Sequence, residues 1–212
     1  VITCATASAW TLTLPTAVGC AGKRLKIIKT SSDLNALTID GDGSETINGS
    51  ATTTINTLYE SLEIISTGTA WLILRREIPL IYTAYTTTWA GITIGDGSLL
   101  AQWYRMKDRC YIEAKLAWGS TTSATSAGQS ITPPTGIVLD ATKEIANNPI
   151  VGFAYMRDNS APSANQMAWV RDDFSIFCNS TSESPKDTQP WTWAVSDAIH
   201  LKCDFPVTGW KG

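Results

Sequence analysis

The alternation in CYIEAKLAW, residues 110–118, does most to limit what this chain can fold into. Cys110, Ile112, Ala114, Leu116 and Trp118 share one parity, while Tyr111, Glu113 and Lys115 share the other. Successive side chains of a β-strand point to opposite faces, so the pattern predicts a strand with one face in a core. AIHLKCDF, residues 198–205, repeats it: Ile199, Leu201, Cys203 and Phe205 face in, and His200, Lys202 and Asp204 face out. DFSIFCN adds Phe174, Ile176 and Cys178 to the inward set. No stretch sustains a period of 3.6 with caps, and DATKEIANN (140–148) offers one helical turn at most. The expected class is all-β.

Turn residues divide the chain further. Residues 1–76 break into short strands, AWTLTL, RLKIIKT, ALTID, ETING, TTINT, ESLEIIS and AWLILRR, separated by Pro15, Gly19 to Gly22, Asp40 to Gly43, Gly49 and Gly68. LKII and WLIL are apolar at both parities. A module this small has too few layers to cover both faces, so the same module of neighbouring chains is expected to cover one. Residues 77–88, EIPLIYTAYTTT, read as a linker because Pro79 interrupts any ladder. Residues 89–212 carry the clearer alternation and suggest a jelly-roll-like or Greek-key β-sandwich. Two long polar stretches leave it, 157–166 and 179–190, and loops of that length in compact β domains often carry function.

Charge and cysteine usage exclude several classes. Sixteen Lys and Arg against 19 Asp and Glu give a net charge of −3 over 212 residues, with no basic run. Nucleic-acid affinity rests largely on phosphate neutralisation, so nucleic acid is not an expected partner. No apolar run reaches the ~18 residues of a membrane span, and VITCATASAW lacks a basic region before an apolar one. Neither membrane insertion nor a signal peptide is expected. The chain starts without Met, as though in mid-strand, and reads as a fragment of a longer or processed one. Five cysteines, Cys4, Cys20, Cys110, Cys178 and Cys203, are odd in number and lack C-x-x-C spacing. Reduced, buried thiols are the expectation, in keeping with assembly in a cytosol.

The chemical motifs are sparse. GDGS occurs at residues 41–44 and again at 95–98. From Asp40 a calcium loop would use Asp40, Asp42 and Ser44, but Glu45 stands where glycine is required and Ala51 where the closing glutamate belongs. Thr46 and Leu100 replace the third glycine of a phosphate loop, and neither copy opens a helix. Each copy therefore reads as a strand-to-strand turn. No metal, cofactor or catalytic residue is expected. The one histidine, His200, reads as a solvated strand residue, and no G-x-S-x-G elbow exists. Asp172 and Asp173 are adjacent and would point to opposite faces of a strand, so they read as a turn or strand start rather than an acid/base pair. Asn48-Gly-Ser50 and Asn179-Ser-Thr181 match the N-glycosylation pattern, which carries little weight without a signal peptide.

Nine tryptophans remain. Trp71, Trp103 and Trp118 lie in strongly apolar strands and are expected in the core. Trp169, Trp191, Trp193 and Tyr155 flank the long polar loops and are the better candidates for exposure, since Trp and Tyr suit sugar faces and partner surfaces.

The segment TLTLPTAVGCAGKRLKIIKT…LTIDGDGSETINGSATTTINTLYESLEIISTGTAWLIL resembles a small β-module of bacteriophage tail fibres. The matching elements are Leu14-Pro15, Gly19, Gly22-Lys23, Ile27, Ile39-Asp40-Gly41, Glu45-Thr46-Ile47 with Gly49, Tyr59-Glu60-Ser61, and Gly68 with Trp71. Cys20 and Ala70 stand where the module usually has Asn. Residues 89–212 resemble, more loosely, the C-terminal head domains of phage fibre proteins. The matches there run from Gly95 to Arg105, through Lys107-Asp108 and Trp118 to Thr122, to Pro190–Ala194, Asp197 and Ile199–Phe205. The resemblance implies a non-enzymatic fibre tip of the virion: a homotrimer, joined to the rest of the tail, whose head binds a glycan or protein receptor on the host surface. For a glycan, Tyr155, Trp169 and Trp191 are the expected stacking residues and Arg157 and Asp158 the polar partners. A glycan-cleaving tailspike and a purely structural fibre are the alternatives.

Overall fold

The computed structural model describes residues 1–5, 8–124, 128–144, 149–178 (less the Cys178 side chain), 185–186 and 188–210. It is nearly all-β, as the alternation predicts, and divides into two units, Val1–Leu80 and Ile81–Gly212.

The first unit contains β1 (Ile2–Cys4), β2 (Trp10–Thr13), β3 (Arg24–Lys29), β4 (Leu37–Asp40), β5 (Thr52–Ile55), β6 (Ser61–Ser66) and β7 (Trp71–Glu77). Two sheets form, ordered β1-β3-β6-β7 and β2-β4-β5. Successive strands β1 to β4 alternate between the sheets, and the β1/β3 and β2/β4 pairs are parallel. The chain thus winds as a two-sided coil before β5, β6 and β7 add antiparallel. Leu14, Ile27, Leu37, Ile39, Ile47, Ile55, Leu62, Ile64 and Trp71 fill the core of this unit. Glu60 is fully buried and bonded by the Asn56 and Thr57 N–H groups, with Arg76 Nη1 2.7 Å from its other oxygen. ETING forms no strand, because Asn48 and Gly49 take positive φ and turn the chain at Ile47. The second face of β3 is polar rather than apolar at Lys26, which pairs with Glu77. On β7, Leu72 and Leu74 are left exposed among the ion pairs Arg24–Glu63 and Arg75–Glu77.

The second unit contains β8 (Thr83–Ala84), β9 (Trp89–Ala90), β10 (Ile92–Thr93), β11 (Ser98–Met106), β12 (Arg109–Ala117), β13 (Ser123–Ala124), β14 (Gln129–Ile131), β15 (Ile150–Arg157), β16 (Gln166–Arg171), β17 (Ser175–Cys178) and β18 (Ala198–Pro206). β8 lies inside the stretch expected to be a linker and pairs with β11, because its backbone completes a sheet edge. Nine strands join in one curled sheet ordered β8-β11-β12-β18-β15-β16-β17-β14-β9, and β10 pairs with β13 apart from it. The two strands with the strongest alternation, β12 and β18, are direct neighbours in register from Arg109↔Pro206 to Ala117↔Ala198. Their inward residues Cys110, Ile112, Leu116, Ile199, Leu201, Cys203 and Phe205 are buried, together with Ala154, Met156, Val170 and Ile176 from the next strands. Phe174 is buried against Phe205, with centroids 5.0 Å apart, but it sits before β17 at φ 60° rather than within the strand. Trp71, Trp103 and Trp118 are all buried.

Both GDGS stretches are turns between strands. In the first, the Glu45 N–H donates to Asp42 O at 3.0 Å between β4 and β5, and in the second the Gly97 N–H donates to Ile94 O at 2.9 Å ahead of β11. The second is clasped by the loop after β12: Asp96 accepts from Ser120 Oγ, the Thr121 N–H and Thr121 Oγ1 at 2.6 to 2.8 Å. Those bonds hold its carboxyl well below the usual range. Gly95 has φ +58° and lies against the Thr121 carbonyl, so no other residue fits there without strain.

Candidate functional site

The parity that buries one face of the large sheet presents the other, and strand register sorts its outward side chains into rows. One row crosses five strands: Leu100, Lys115, His200, Tyr155 and Met167. The adjacent row runs Ala84, Gln102, Glu113, Lys202, Phe153, Trp169 and Phe177. A third holds Tyr104, Tyr111 and Asp204.

Two aromatic groups stand on this face. Tyr104 and Tyr111 stack 4.8 Å apart with planes 5° apart, and Tyr82 leans on Tyr104 at 4.8 Å. On β15 and β16, Phe153 tilts against Trp169 at 5.1 Å, and Phe153, Tyr155 and Met167 are 48, 39 and 47% exposed. Phe153 and Tyr155 thus present partly exposed rings on one strand, beside the exposed Met167 on the next.

Between the groups lies a cavity of about 540 Å³ lined by Ala84, Leu100, Gln102, Glu113, Lys115, His200 and Lys202. Glu113 accepts from Gln102 Nε2 at 2.9 Å and pairs with Lys202 at 2.8 Å. The hydrogen bonds from Lys202 and Gln102 lower the Glu113 pKa, and the carboxylate raises that of Lys202. His200 is half-buried, and burial, then Lys115 and Arg157, push its pKa below the ordinary value.

Of the residues singled out from sequence, Tyr155, Arg157 and Trp169 share this face. Arg157 ends β15 and donates to Asn159 Oδ1 at 2.8 Å. Asp158 is buried, and its Oδ1 accepts from the Ser160 N–H and Oγ and the Ala161 N–H at 2.7 to 2.8 Å. It is a loop cap rather than an open polar partner. Asn165 ties that loop to the face, donating to Tyr155 Oη at 2.5 Å and accepting from the Asp158 N–H at 2.9 Å. Trp191 lies half-buried beyond the strands, bonded to Asp197. Trp193 is buried rather than exposed: it stacks on Trp118 at 4.3 Å and donates to Lys186 O and Gln189 O. Asp173 accepts from the Ser175 N–H at 2.9 Å, as a turn residue. The second N-glycosylation pattern lies outside the described residues.

Sequence reasoning missed Phe153, Met167, Tyr82 and Tyr104 and did not join Tyr111, Glu113, Lys115, His200 and Lys202 into a site. The available signal was the outward half of the alternation in β12 and β18, but which strands lie side by side is not written in either one. Among the described residues no three His, Cys, Asp or Glu side chains gather as a metal would need, and no helix is long and apolar enough to cross a membrane. Comparison with family models, curated proteins and solved structures gives no match to this chain.

Proposed function

We propose that this chain is the adhesive tip of a virion fibre, in which a shaft-like module precedes a jelly-roll-like head that binds a host-surface glycan. The observation that carries the reading is the outer face of the large sheet, where partly exposed rings stand near a groove that carries Gln102, Glu113 and Lys202. Aromatic faces stack on the C–H faces of sugar rings, and Gln102, Glu113 and Lys202 offer hydrogen bonds between them. A β-sheet holds those groups in fixed relative positions, which lowers the ordering cost of binding. The resemblance of residues 14–71 to a tail-fibre module supports the virion setting and attachment to the rest of the tail.

The fibre is a homotrimer in this reading, with Leu72 and Leu74 covered by the neighbouring chain. Three weak sites then act together through effective concentration. A sedimentation mass near 22.9 kDa would defeat the trimer.

Cleavage of the glycan is the rival reading. It needs a carboxylic acid held protonated. New reducing ends on an incubated glycan would favour it over binding alone.

The test is a glycan-array and cell-adhesion measurement on the full chain, with Tyr155→Ala and Tyr111→Ala beside it. The expected result is binding that each variant weakens about tenfold, the scale of a lost aromatic stack and its hydrogen bond. Binding that survives both substitutions, or new reducing ends on the bound glycan, overturns the reading.

A further inference from the structure

The charges around His200 do not cancel. Glu113 and Lys202 neutralise each other one row away. Lys115, directly across from His200 on β12, is exposed and has no carboxylate partner among the described residues. Arg157, two residues beyond Tyr155 on the same face of β15, is bonded to the neutral Asn159 side chain. Asp158 is turned into its own loop, and Asp204 on β18 pairs with Arg109 at 2.5 Å. From the two strands that flank β18, the groups facing His200 are therefore Lys115 and, one row off and paired with Lys202, Glu113 on β12, and Tyr155 and Arg157 on β15.

We propose that this groove is selective for an acidic saccharide, whose carboxylate lies between Lys115 and Arg157 over His200 while its ring stacks on Tyr155. The proposal rests on the glycan-binding reading and names the class of sugar. Cross-strand neighbours on one face stand about 5 Å apart, so a sugar ring on Tyr155 puts a carboxylate substituent within reach of His200 and Lys115. Uncompensated cations at the rim of a partly enclosed groove raise the local concentration of anions and reward a charged ligand over its neutral counterpart. Burial first, and then Lys115 and Arg157, depress the His200 pKa, and those two charges are the ones that an anion between them would neutralise. Acid-form binding should therefore draw a proton onto His200 and tighten as pH falls from about 8 to about 5.5.

The experiment titrates the full chain with two matched pairs: sialyllactose against lactose, and a galacturonate trisaccharide against the galactose trisaccharide. Calorimetry gives affinity, and proton NMR follows the ring of the chain's one histidine. The expected result is that an acidic member binds about tenfold more tightly than its neutral partner, with the preference growing at lower pH and the His200 pKa rising on binding. Which pair responds distinguishes a sialic from a uronic acid. Lys115→Gln should weaken the acidic member more than its neutral partner and so shrink the preference, and Lys115→Arg should keep it. Equal affinity within each pair, or preference for the neutral member, overturns the proposal and leaves glycan binding standing. Failure of both acidic sugars to bind or to move the His200 resonance also overturns it, and the adhesion measurement then decides the broader reading by itself.

Discussion

The Trp191 indole N–H donates to Asp197 Oδ2 at 3.1 Å. The same oxygen accepts the Ala194 N–H at 2.9 Å, and Oδ1 accepts the Asn159 N–H at 2.9 Å. Asp197 is almost wholly buried at the entry to β18 and joins the loop after β15 to the turn before β18. Asp197→Ala would leave three donors without their acceptor, and a loss of about 3 kcal/mol is expected. Urea unfolding followed by tryptophan fluorescence checks it. Asp197→Asn keeps one acceptor and should lose less. Equal stability of Asp197→Ala and the parent would show that water replaces the carboxylate at no cost.

Gly152 sets how closely β15 approaches β18. A Cβ there would collide with the Lys202 carbonyl oxygen and the Cys203 Cα, both parts of the backbone core of the sheet. The register of β15 against β16 shifts beside it, between Ile150 and Gly152. Gly152→Ala should cost about 2 kcal/mol and weaken amide-exchange protection along β15 and β18. Unchanged protection would mean that the strands part without penalty.

The buried thiols give a chemical prediction. Burial pushes the Cys110 thiol up to about 12 and raises those of Cys203 and Cys4. The thiolate is the reactive form, so these three should resist maleimide at neutral pH until the chain unfolds. Cys20 is partly exposed and should be labelled first among the four. Peptide mapping by mass spectrometry reads the order, and early labelling of Cys110 would contradict the packing of β12.

How much of this was legible depends on the range of the information. The inward set of β12 and β18 follows from a period of two, which lies within each strand, and the structure buries every member of both. The turn role of both GDGS stretches follows from glycine and aspartate chemistry, equally local. The outer face is different, because Lys115, His200 and Tyr155 become neighbours only through the pairing of three strands far apart in sequence. Trp193 departs from its expected exposure for a related reason. It follows the polar stretch 179–190, but its stacking partner Trp118 lies 75 positions earlier. Asp158 differs from its expected role as an open polar partner because nothing in the local sequence reveals that Ser160 and Ala161 fold back onto it.

His200 allows the electrostatics of the face to be read without any ligand. Its pKa is lowered from 6.5 by burial first and by Lys115 and Arg157 next. Because the folded value lies below the unfolded one, the unfolded chain takes up the proton first. Stability is therefore fully present above about 6.5 and falls as pH drops through the folded pKa. Lys115→Gln removes one of the two repelling charges, so the NMR midpoint of His200 should rise toward 6.5 and the acid loss of stability should shrink. Lys202→Gln offers a contrast, since that lysine is neutralised by Glu113 and is absent from the charges acting on His200. A midpoint that ignores Lys115→Gln and follows Lys202→Gln would place the field on the wrong row of the sheet.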